Sequence, residues 1–314
     1  MTIQNLYTER SGLAESPLWD DIAQCFYWID IPNRQLHRHF LDGAHTLWQL
    51  PQNAANDPGA IALSEDGCVL IALRSGIAAF DVTTPAGEIN PTPFITAPYN
   101  TDEIRFNDGG VDAQGRFWIG TLFAPKTRAG ASLFCLDKGV LQAVTGELAA
   151  HAPQNEWGVT TSNGWAMSLD AQHMYHADTQ AHIVYRYELN ADKLPMSREI
   201  FYQTPNQAES AAQNIAYQGR PDGAAIDSAG NFWNAQFEGG QIIQLSPNGD
   251  VLQRIQLPAK CPTMVCFGGD DLKTLLITTA GNRPVEELAD YPANGFILTM
   301  QVEVAGLPTR RYAA

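Results

Sequence analysis

The chain has 314 residues, of which 45% are hydrophobic, and its formal net charge at pH 7 is −15. Because a strongly acidic chain repels phosphate backbones, the charge argues against nucleic acid as a partner. No apolar stretch is long enough to cross a bilayer, and the N-terminus lacks the basic start and apolar run of a signal peptide. The sequence therefore predicts a soluble cytoplasmic protein that binds no membrane.

One pattern recurs along the chain at intervals of about 50 residues. A polar turn rich in Asp and Gly is followed by a hydrophobic strand, a second turn and another strand. The polar turns lie at residues 17–20, 64–67, 112–115, 168–170, 227–230 and 270–273. A repeat of this length matches the four-stranded blade of a propeller, and six copies account for the whole chain.

The predicted fold class is therefore all-β, a six-bladed β-propeller, in a single domain over residues 1–314. We expect the N-terminal strand to close the last blade. A β-sandwich with insertions is the alternative, but a repeat of fixed length argues against it.

Polar residues stand at the start of the innermost strand in four of the predicted blades. In a propeller these starts converge on one end of the central channel. They carry Glu15, Asn107, Asn163 and Asp222. Asp222 lies in the segment 220–223, Arg-Pro-Asp-Gly, which predicts a tight turn directly before a strand.

These residues favour a metal centre. Carboxylate and amide oxygens suit Ca²⁺, Mg²⁺ or Mn²⁺ and can also hold Zn²⁺ or Fe²⁺. Asn-Gly and Asp-Gly pairs also form ordinary turns, so each site alone has a purely structural interpretation. Glu15 is a poor turn residue, and the shared position in four blades favours the metal. Three aspartates lie at the other end of the repeated pattern, away from the strand starts, and are interpreted as turn residues: Asp112, Asp170 and Asp227.

Other common catalytic patterns are missing from the sequence. There is no GxSxG segment for a nucleophilic serine and no HExxH zinc helix. The five cysteines are odd in number and include no CxxC, which supports neither a disulfide framework nor a zinc knuckle. We interpret His37, His39, His173, His176 and His182 as strand or surface residues rather than ligands.

Six segments of the chain resemble the SMP-30/gluconolactonase/LRE family, which includes regucalcin and bacterial sugar lactonases. They are residues 14–19, 105–109, 112–121, 162–165, 221–223 and 266–272. The resemblance implies one divalent metal ion, Ca, Zn, Mn, Mg or Fe, in a six-bladed propeller. It also implies a hydrolase acting on carboxylic ester bonds. The substrate would be a small-molecule sugar lactone, such as a pentono- or hexonolactone, opened to the aldonic acid.

The resemblance also assigns roles to residues. Glu15, Asn163 and Asp222 match the metal ligands, and Asp222 also matches the proposed general base. Arg105 and Asn107 match residues that hold the substrate. One segment departs from the family: Phe-Ala-Pro-Lys at residues 123–126 stands where some relatives carry a Glu-rich segment, so the substrate contact there is missing or replaced.

Two other functions remain open. A related propeller could hydrolyse aryl esters or organophosphates. A non-enzymatic propeller could bind calcium or a partner without turnover, although the pair Arg105 and Asn107 weighs against a pure scaffold.

Overall fold

The fold consists almost entirely of short strands. The computed structural model describes residues 2–314, and 50% of the chain is in strands while 5% is in helices. The strands form six sheets, which are the blades of a six-bladed β-propeller. The predicted fold class is confirmed.

The first half of the chain forms three blades after an N-terminal strand, β1 (Gln4–Tyr7). The first blade contains β2 (Ala14–Asp20), β3 (Cys25–Asp30), β4 (Gln35–Phe40) and β5 (His45–Gln49). The second contains β6 (Pro58–Leu63), β7 (Cys68–Leu73) and β8 (Gly76–Asp81). The short strand β9 (Gly87–Glu88) pairs in parallel with β5, and β10 (Thr92–Thr96) completes the second blade. The third contains β11 (Ile104–Val111), β12 (Phe117–Phe123), β13 (Leu133–Asp137) and β14 (Val140–Thr145).

The second half forms the other three blades. The fourth contains β15 (Ser162–Met167), β16 (His173–Asp178), β17 (Ile183–Leu189) and β18 (Pro195–Gln203). The fifth contains β19 (Arg220–Ile226), β20 (Phe232–Phe237), β21 (Gln241–Leu245) and β22 (Val251–Gln256). The sixth contains β23 (Pro262–Gly268), β24 (Thr274–Thr279) and β25 (Ile297–Gln301).

The N-terminal strand supplies the fourth strand of the sixth blade, as predicted. β1 pairs antiparallel with β25, with Gln4 opposite Thr299 and Tyr7 opposite Ile297. This pairing covers an edge that would otherwise expose unpaired backbone groups.

Helices are confined to the connections between strands. The one α-helix within residues 2–314 is α1 (Gln207–Ala212), which is capped by Asn206 and Glu209; the side chain of each accepts from the other's backbone N–H. Short 3₁₀ turns lie at Ala54–Asn56, Gln154–Glu156 and Val285–Leu288. Among residues 2–314, no helix has the length and apolar character that crossing a membrane requires.

The turns after three innermost strands contain the aspartates predicted as turn residues, and the structure confirms that role. In each turn the Oδ1 atom accepts a hydrogen bond from the backbone N–H two residues later. The pairs are Asp112 with Gln114 at 2.9 Å, Asp170 with Gln172 at 2.9 Å and Asp227 with Ala229 at 2.9 Å.

The chain divides into two compact units. The first unit comprises Glu15–Ser162, Gly268–Asp270 and Pro308–Ala314; the second comprises the residues up to Ala14, Asn163–Phe267 and Asp271–Leu307. Edge-to-face contacts of Phe106 with Phe134 and Tyr99 mark the core of the first unit. In the second, Trp233 packs edge-on against Phe267. That residues 1–314 form a single domain stays a prediction.

Candidate active site

Asp222 lies inside strand β19 rather than in a turn before it. Pro221 pairs with Gln236 and Ala224 pairs with Asn234, so Asp222 and Gly223 together face one residue of β20. The predicted tight turn is therefore wrong, because the chain accommodates the extra residue as a β-bulge and continues in the same direction. Bulges re-aim side chains and occur often beside active sites.

The same irregularity occurs in the first unit, at Asn107, which is one of the two predicted substrate-binding residues. In β11, Phe106 pairs with Thr121 and Gly109 pairs with Ile119, so Asn107 and Asp108 bulge in the same way. Asn107 and Asp222 are both buried, with 8% and 5% of their surfaces exposed. Strands β11 and β19, which are distant in sequence, thus each place a polar residue in a β-bulge.

Asn163 and Asp222 are tied to each other within the second unit. The Nδ2 group of Asn163 donates to Thr179 Oγ1 at 2.7 Å, and Thr179 Oγ1 donates to the Pro221 carbonyl at 2.7 Å. Next to Asn163, Gly164 adopts φ +57°, and a Cβ atom there would stand 2.8 Å from the Asp222 carbonyl oxygen. The structure therefore brings these two predicted ligands together at the start of neighbouring innermost strands.

A second pair of amides fixes the backbone at the bulge. Asn234 Nδ2 donates to the carbonyl oxygens of Asp222 and Gly223, at 2.7 and 3.1 Å. Gln236 Nε2 in turn donates to Asn234 Oδ1 at 2.6 Å. Asn234 and Gln236 are both fully buried. The position of Asp222 is thus set through its main chain, an arrangement that sequence reasoning missed because Asn234 is an unremarkable position in β20.

Glu15, the third predicted ligand, lies in the first unit together with Arg105. Burial lowers the pKa of the Arg105 guanidinium, Arg74 lowers it further, and the carboxylates of Glu15 and Asp57 oppose both effects. Because an arginine stays protonated in proteins, Arg105 is a partly buried cation in the field of Glu15. Its Nη1 group donates to the Phe106 carbonyl at 2.8 Å, which orients it.

Asn107 is oriented through one end of its amide. Its Nδ2 group donates to the Ser162 carbonyl at 2.8 Å, which turns Oδ1 to the opposite side.

The first unit also contains a group of cations that sequence reasoning missed. Asp57 bridges Arg34 and Arg74, at 2.8 and 3.0 Å. Arg74 also donates to the Thr101 carbonyl at 3.1 Å. These residues are far apart in sequence, and no local motif marks them.

The segment that departs from the family carries aromatic and basic residues. The Arg128 guanidinium lies over the Phe123 ring, 4.4 Å from its centroid, and Arg128 pairs with Glu147. The structure shows no acidic side chain at residues 123–126, as the sequence requires.

The histidines form no metal centre. His37 and His39 are buried on β4, and His37 Nδ1 lies 3.1 Å from His45 Nε2. Burial lowers the pKa of His37 to about 3, so its ring is neutral at physiological pH. Over residues 2–314, no group of three or more His, Cys, Asp or Glu side chains is arranged to hold a metal ion. The predicted set differs in kind, since it has two carboxylates and one amide.

Comparison with known proteins decides the family. The model of the SMP-30/gluconolactonase/LRE-like region matches residues 13–281. The chain belongs to this family.

Its relatives include named lactonases. The chain is 41% identical to 6-deoxy-6-sulfogluconolactonase from Pseudomonas putida, over 97% of this chain and 96% of the relative. It is 32% identical to a pentonolactonase from Haloferax volcanii, over 90% of this chain and 86% of that one. The solved structure of regucalcin from Agrobacterium tumefaciens, a calcium-binding protein, has a TM-score of 0.83 at 25% identity and covers 98% of this chain and 96% of its own. These relatives confirm the prediction of a hydrolase acting on carboxylic ester bonds.

Proposed function

We propose that this protein hydrolyses the ring ester of a sugar lactone to the aldonic acid with the help of one divalent metal ion. One observation carries the proposal: Thr179 links the side chain of Asn163 to the carbonyl of Pro221, the residue directly before Asp222. These residues stand in a chain that is 41% identical to a sugar lactonase.

The proposed metal ligands are Glu15, Asn163 and Asp222. The chemistry of the donor set fits a hard divalent cation, because all three offer oxygen. The chemistry of Asn163 also fits: its Nδ2 group donates to Thr179 Oγ1 at 2.7 Å, and the ligand atom that its amide would offer to a cation is the oxygen. When bound, the ion supplies Lewis acidity that polarises the lactone carbonyl and stabilises negative charge on its oxygen.

The remaining chemistry belongs to the side chains. Asp222 acts as general base and accepts a proton from the attacking water. The water oxygen adds to the lactone carbonyl carbon, the bond from that carbon to the ring oxygen breaks, and the ring oxygen takes up a proton. Arg105 donates to the substrate and orients it, and Asn107 accepts from a sugar hydroxyl. The bulges hold Asp222 and Asn107 in place before the substrate arrives.

The proposed substrates are aldonolactones. The relatives named above act, by their names, on a sulfonated hexonolactone and on pentonolactones. A panel should therefore contain glucono-1,5-lactone, its 6-deoxy-6-sulfo derivative and pentono-1,4-lactones. We further propose a cytoplasmic location, in line with the sequence prediction.

The experiment combines metal removal with this panel. The purified chain is treated with a chelator, its metal content is measured, and ring opening is followed by proton release. We expect activity to disappear with the metal and to return with at least one of Ca²⁺, Mg²⁺, Mn²⁺, Zn²⁺ or Fe²⁺. Activity that survives complete metal removal contradicts the proposal.

A variant tests the ligand set independently of turnover. Glu15→Gln should bind the restoring metal at least about tenfold more weakly, because an amide replaces a charged ligand. Its thermal unfolding should stay close to that of the wild type. Unchanged metal affinity removes Glu15 from the ligand set. Metal binding without hydrolysis of any lactone supports the calcium-binding alternative, and turnover of aryl esters or organophosphates alone supports the esterase alternative.

A further inference from the structure

A network of charged side chains lies in the second unit, around the first residue of strand β19. Arg220 pairs with Glu238 at 3.2 Å, and Arg283 approaches the same carboxylate at 3.5 Å. Glu287 accepts from Arg283 at 2.9 Å and from Lys260 at 2.8 Å. Three cations thus share two carboxylates, which makes this network positive in a chain whose net charge is −15.

Within this network Arg220 has hydrogen-bond donors to spare. Arg283 holds Glu287 with two of its nitrogens, at 2.9 and 3.0 Å, whereas Arg220 has one long contact with Glu238. The Nε group of Arg220 is buried and makes no hydrogen bond with any residue between 2 and 314. Buried N–H groups are nearly always paired, and a guanidinium carries five of them. Protein atoms cover this Nε group, whereas 23% of the whole side chain is exposed, so a bound molecule can reach Arg220 at its exposed atoms and not at Nε.

The surroundings hold Arg220 in one orientation. Its guanidinium lies over the Phe237 ring, 5.2 Å from the centroid. Glu238 adopts φ +63°, in the left-handed region that a glutamate rarely occupies. A Cβ atom on Gly219 would stand 2.6 Å from the Gly239 backbone nitrogen, so the segments on either side of Arg220 and Glu238 are packed backbone to backbone. Such a cation is preorganised for a ligand.

The position of Arg220 relates it to the proposed reaction. Arg220 precedes Asp222 by two residues in the same strand, a separation of about 7 Å along the backbone. That spacing is comparable with a hexose ring and its exocyclic carbon. A lactone whose carbonyl lies at Asp222 can therefore extend its far end to Arg220.

We propose that Arg220 is a specificity-determining residue that binds an anionic group on the lactone, at the end opposite the reacting ester. This inference rests on the proposed function. A sulfonate, a phosphate and a carboxylate share the required chemistry, since each offers oxygens to a guanidinium fork.

The test compares neutral and anionic lactones on the metal-loaded full chain. The substrates are glucono-1,5-lactone, its 6-deoxy-6-sulfo derivative, its 6-phospho derivative and a lactone with a carboxylate at carbon 6. We expect kcat/KM for at least one anionic lactone to exceed that for the neutral one about tenfold, mainly through KM. The anion that gives the largest ratio identifies the source of the charge.

Variants assign the preference to Arg220. Arg220→Gln should reduce the anionic-to-neutral ratio of kcat/KM by about tenfold or more, and Arg220→Lys should retain part of it. Arg254→Gln, which removes one positive charge from the outer strand β22 of the same unit, should leave the ratio unchanged. If Arg220→Gln folds poorly because Glu238 loses its partner, Arg220→Gln combined with Glu238→Gln removes both charges and should show the same loss.

The outcomes separate this inference from the proposed function. Hydrolysis of the neutral lactone with no preference for any anionic one overturns the role of Arg220 and leaves the lactonase proposal standing. An equal fall in kcat/KM for all lactones in Arg220→Gln also overturns it, since that is the result of a structural role. A wild type that hydrolyses none of the lactones overturns both. Inhibition of neutral-lactone hydrolysis by 6-phosphogluconate, weakened in Arg220→Gln, supports the assignment by a second readout.

Discussion

The two ends of strand β19 use an aspartate in opposite ways. Just after the strand, the carboxylate of Asp227 is fully buried and serves the fold. It accepts hydrogen bonds from two backbone N–H groups and from three side chains: Ala229 N at 2.9 Å, Asn231 N at 2.9 Å, Asn231 Nδ2 at 2.8 Å, Trp233 Nε1 at 2.9 Å and Gln244 Nε2 at 3.0 Å. Its oxygens are saturated by donors from its own blade.

At the start of the strand, Asp222 is positioned through its main chain. Asn234 bonds its carbonyl oxygen, Thr179 bonds the preceding carbonyl, and Gly164 packs against it. The difference teaches that burial of an aspartate does not by itself indicate its role. Five donor groups hold the carboxylate of Asp227, and Asn234 holds the main-chain carbonyl of Asp222.

The third blade, in the first unit, shows the same contrast between a polar residue in a bulge and an aspartate that holds a turn. Asp112, after strand β11, accepts from the backbone and Nε of Arg116 and from Trp118 Nε1. Asn107, near the start of the same strand, lies in the bulge. The polar residues at the strand starts are thus the candidates for chemistry, and those at the strand ends hold the turns.

The largest expected effect comes from Asp222→Asn. We predict that kcat for lactone hydrolysis falls by about a thousandfold, because the general base is lost and a metal ligand loses its charge. The free energy of unfolding should change little, since the hydrogen bonds of Asn234 and Thr179 to the carbonyl oxygens of Asp222 and Pro221 do not involve the substituted side chain. Proton-release kinetics and denaturant unfolding measure the two quantities. A rate within about tenfold of the wild type places the base elsewhere.

The converse effect is expected at the other end of the strand. Asp227→Asn should lower the free energy of unfolding by about 3 kcal/mol, because the new amide N–H group faces donors that need an acceptor. The folded fraction should keep its kcat. Asp170→Asn, in an exposed turn, is the control and should cost about 0.5 kcal/mol or less. Equal costs for the two variants contradict the structural role of Asp227.

The blades could be predicted because each carries strands with turns of Asp and Gly at a regular interval. The sequence did not predict strands β6 and β23, which are the innermost strands of the second and sixth blades. Every residue of β6 is buried, so it shows no alternation of polar and apolar residues. The bulges were not predicted either. The segment Pro-Asp-Gly has the composition of a turn, and only its pairing with β20 shows that the strand continues.

Candidate residues could be located by their place in the repeat, but their supports could not. Thr179 links Asn163 to β19 from a loop of the fourth blade, and Asn234 acts from the neighbouring strand. Such contacts join residues at separations that no local pattern encodes. The Arg220 network was missed for the same reason, because Glu238 and Arg283 come from different blades.

His176, a buried histidine on strand β16, should affect the stability of the fold but not the reaction. Burial lowers the pKa of His176 on β16 to about 3, from an ordinary value near 6.5. As the pH falls from 6.5 towards 3, the unfolded chain takes up a proton that the folded chain excludes, so stability present above pH 6.5 is lost progressively. At pH 5 the loss from this one group is about 2 kcal/mol.

His176→Phe removes this titration. The slope of unfolding free energy against pH should become shallower by about 1.4 kcal/mol per pH unit between pH 6 and 4. His151→Asn, at an exposed position, should leave the slope as it is. An unchanged slope in His176→Phe shows that the imidazole titrates normally in the folded chain.

The smallest effect is expected from Gly164→Ala. This variant tests whether the position of Asp222, rather than backbone strain in general, controls the rate. Gly164→Ala puts a methyl group 2.8 Å from the Asp222 carbonyl oxygen, so the bulge must shift by a few tenths of an ångström. We predict that kcat falls about tenfold, because catalysis is sensitive to such displacements. Gly230→Ala, in the Asp227 turn, is the matched control: Gly230 has φ +85°, and its nearest neighbouring atom stands 3.5 Å from the added Cβ. Both variants should lose about 1 kcal/mol of stability from the left-handed conformation, but only Gly164→Ala should slow the reaction. If both slow it equally, general loosening of the fold explains the effect, and the position of Asp222 does not depend on Gly164.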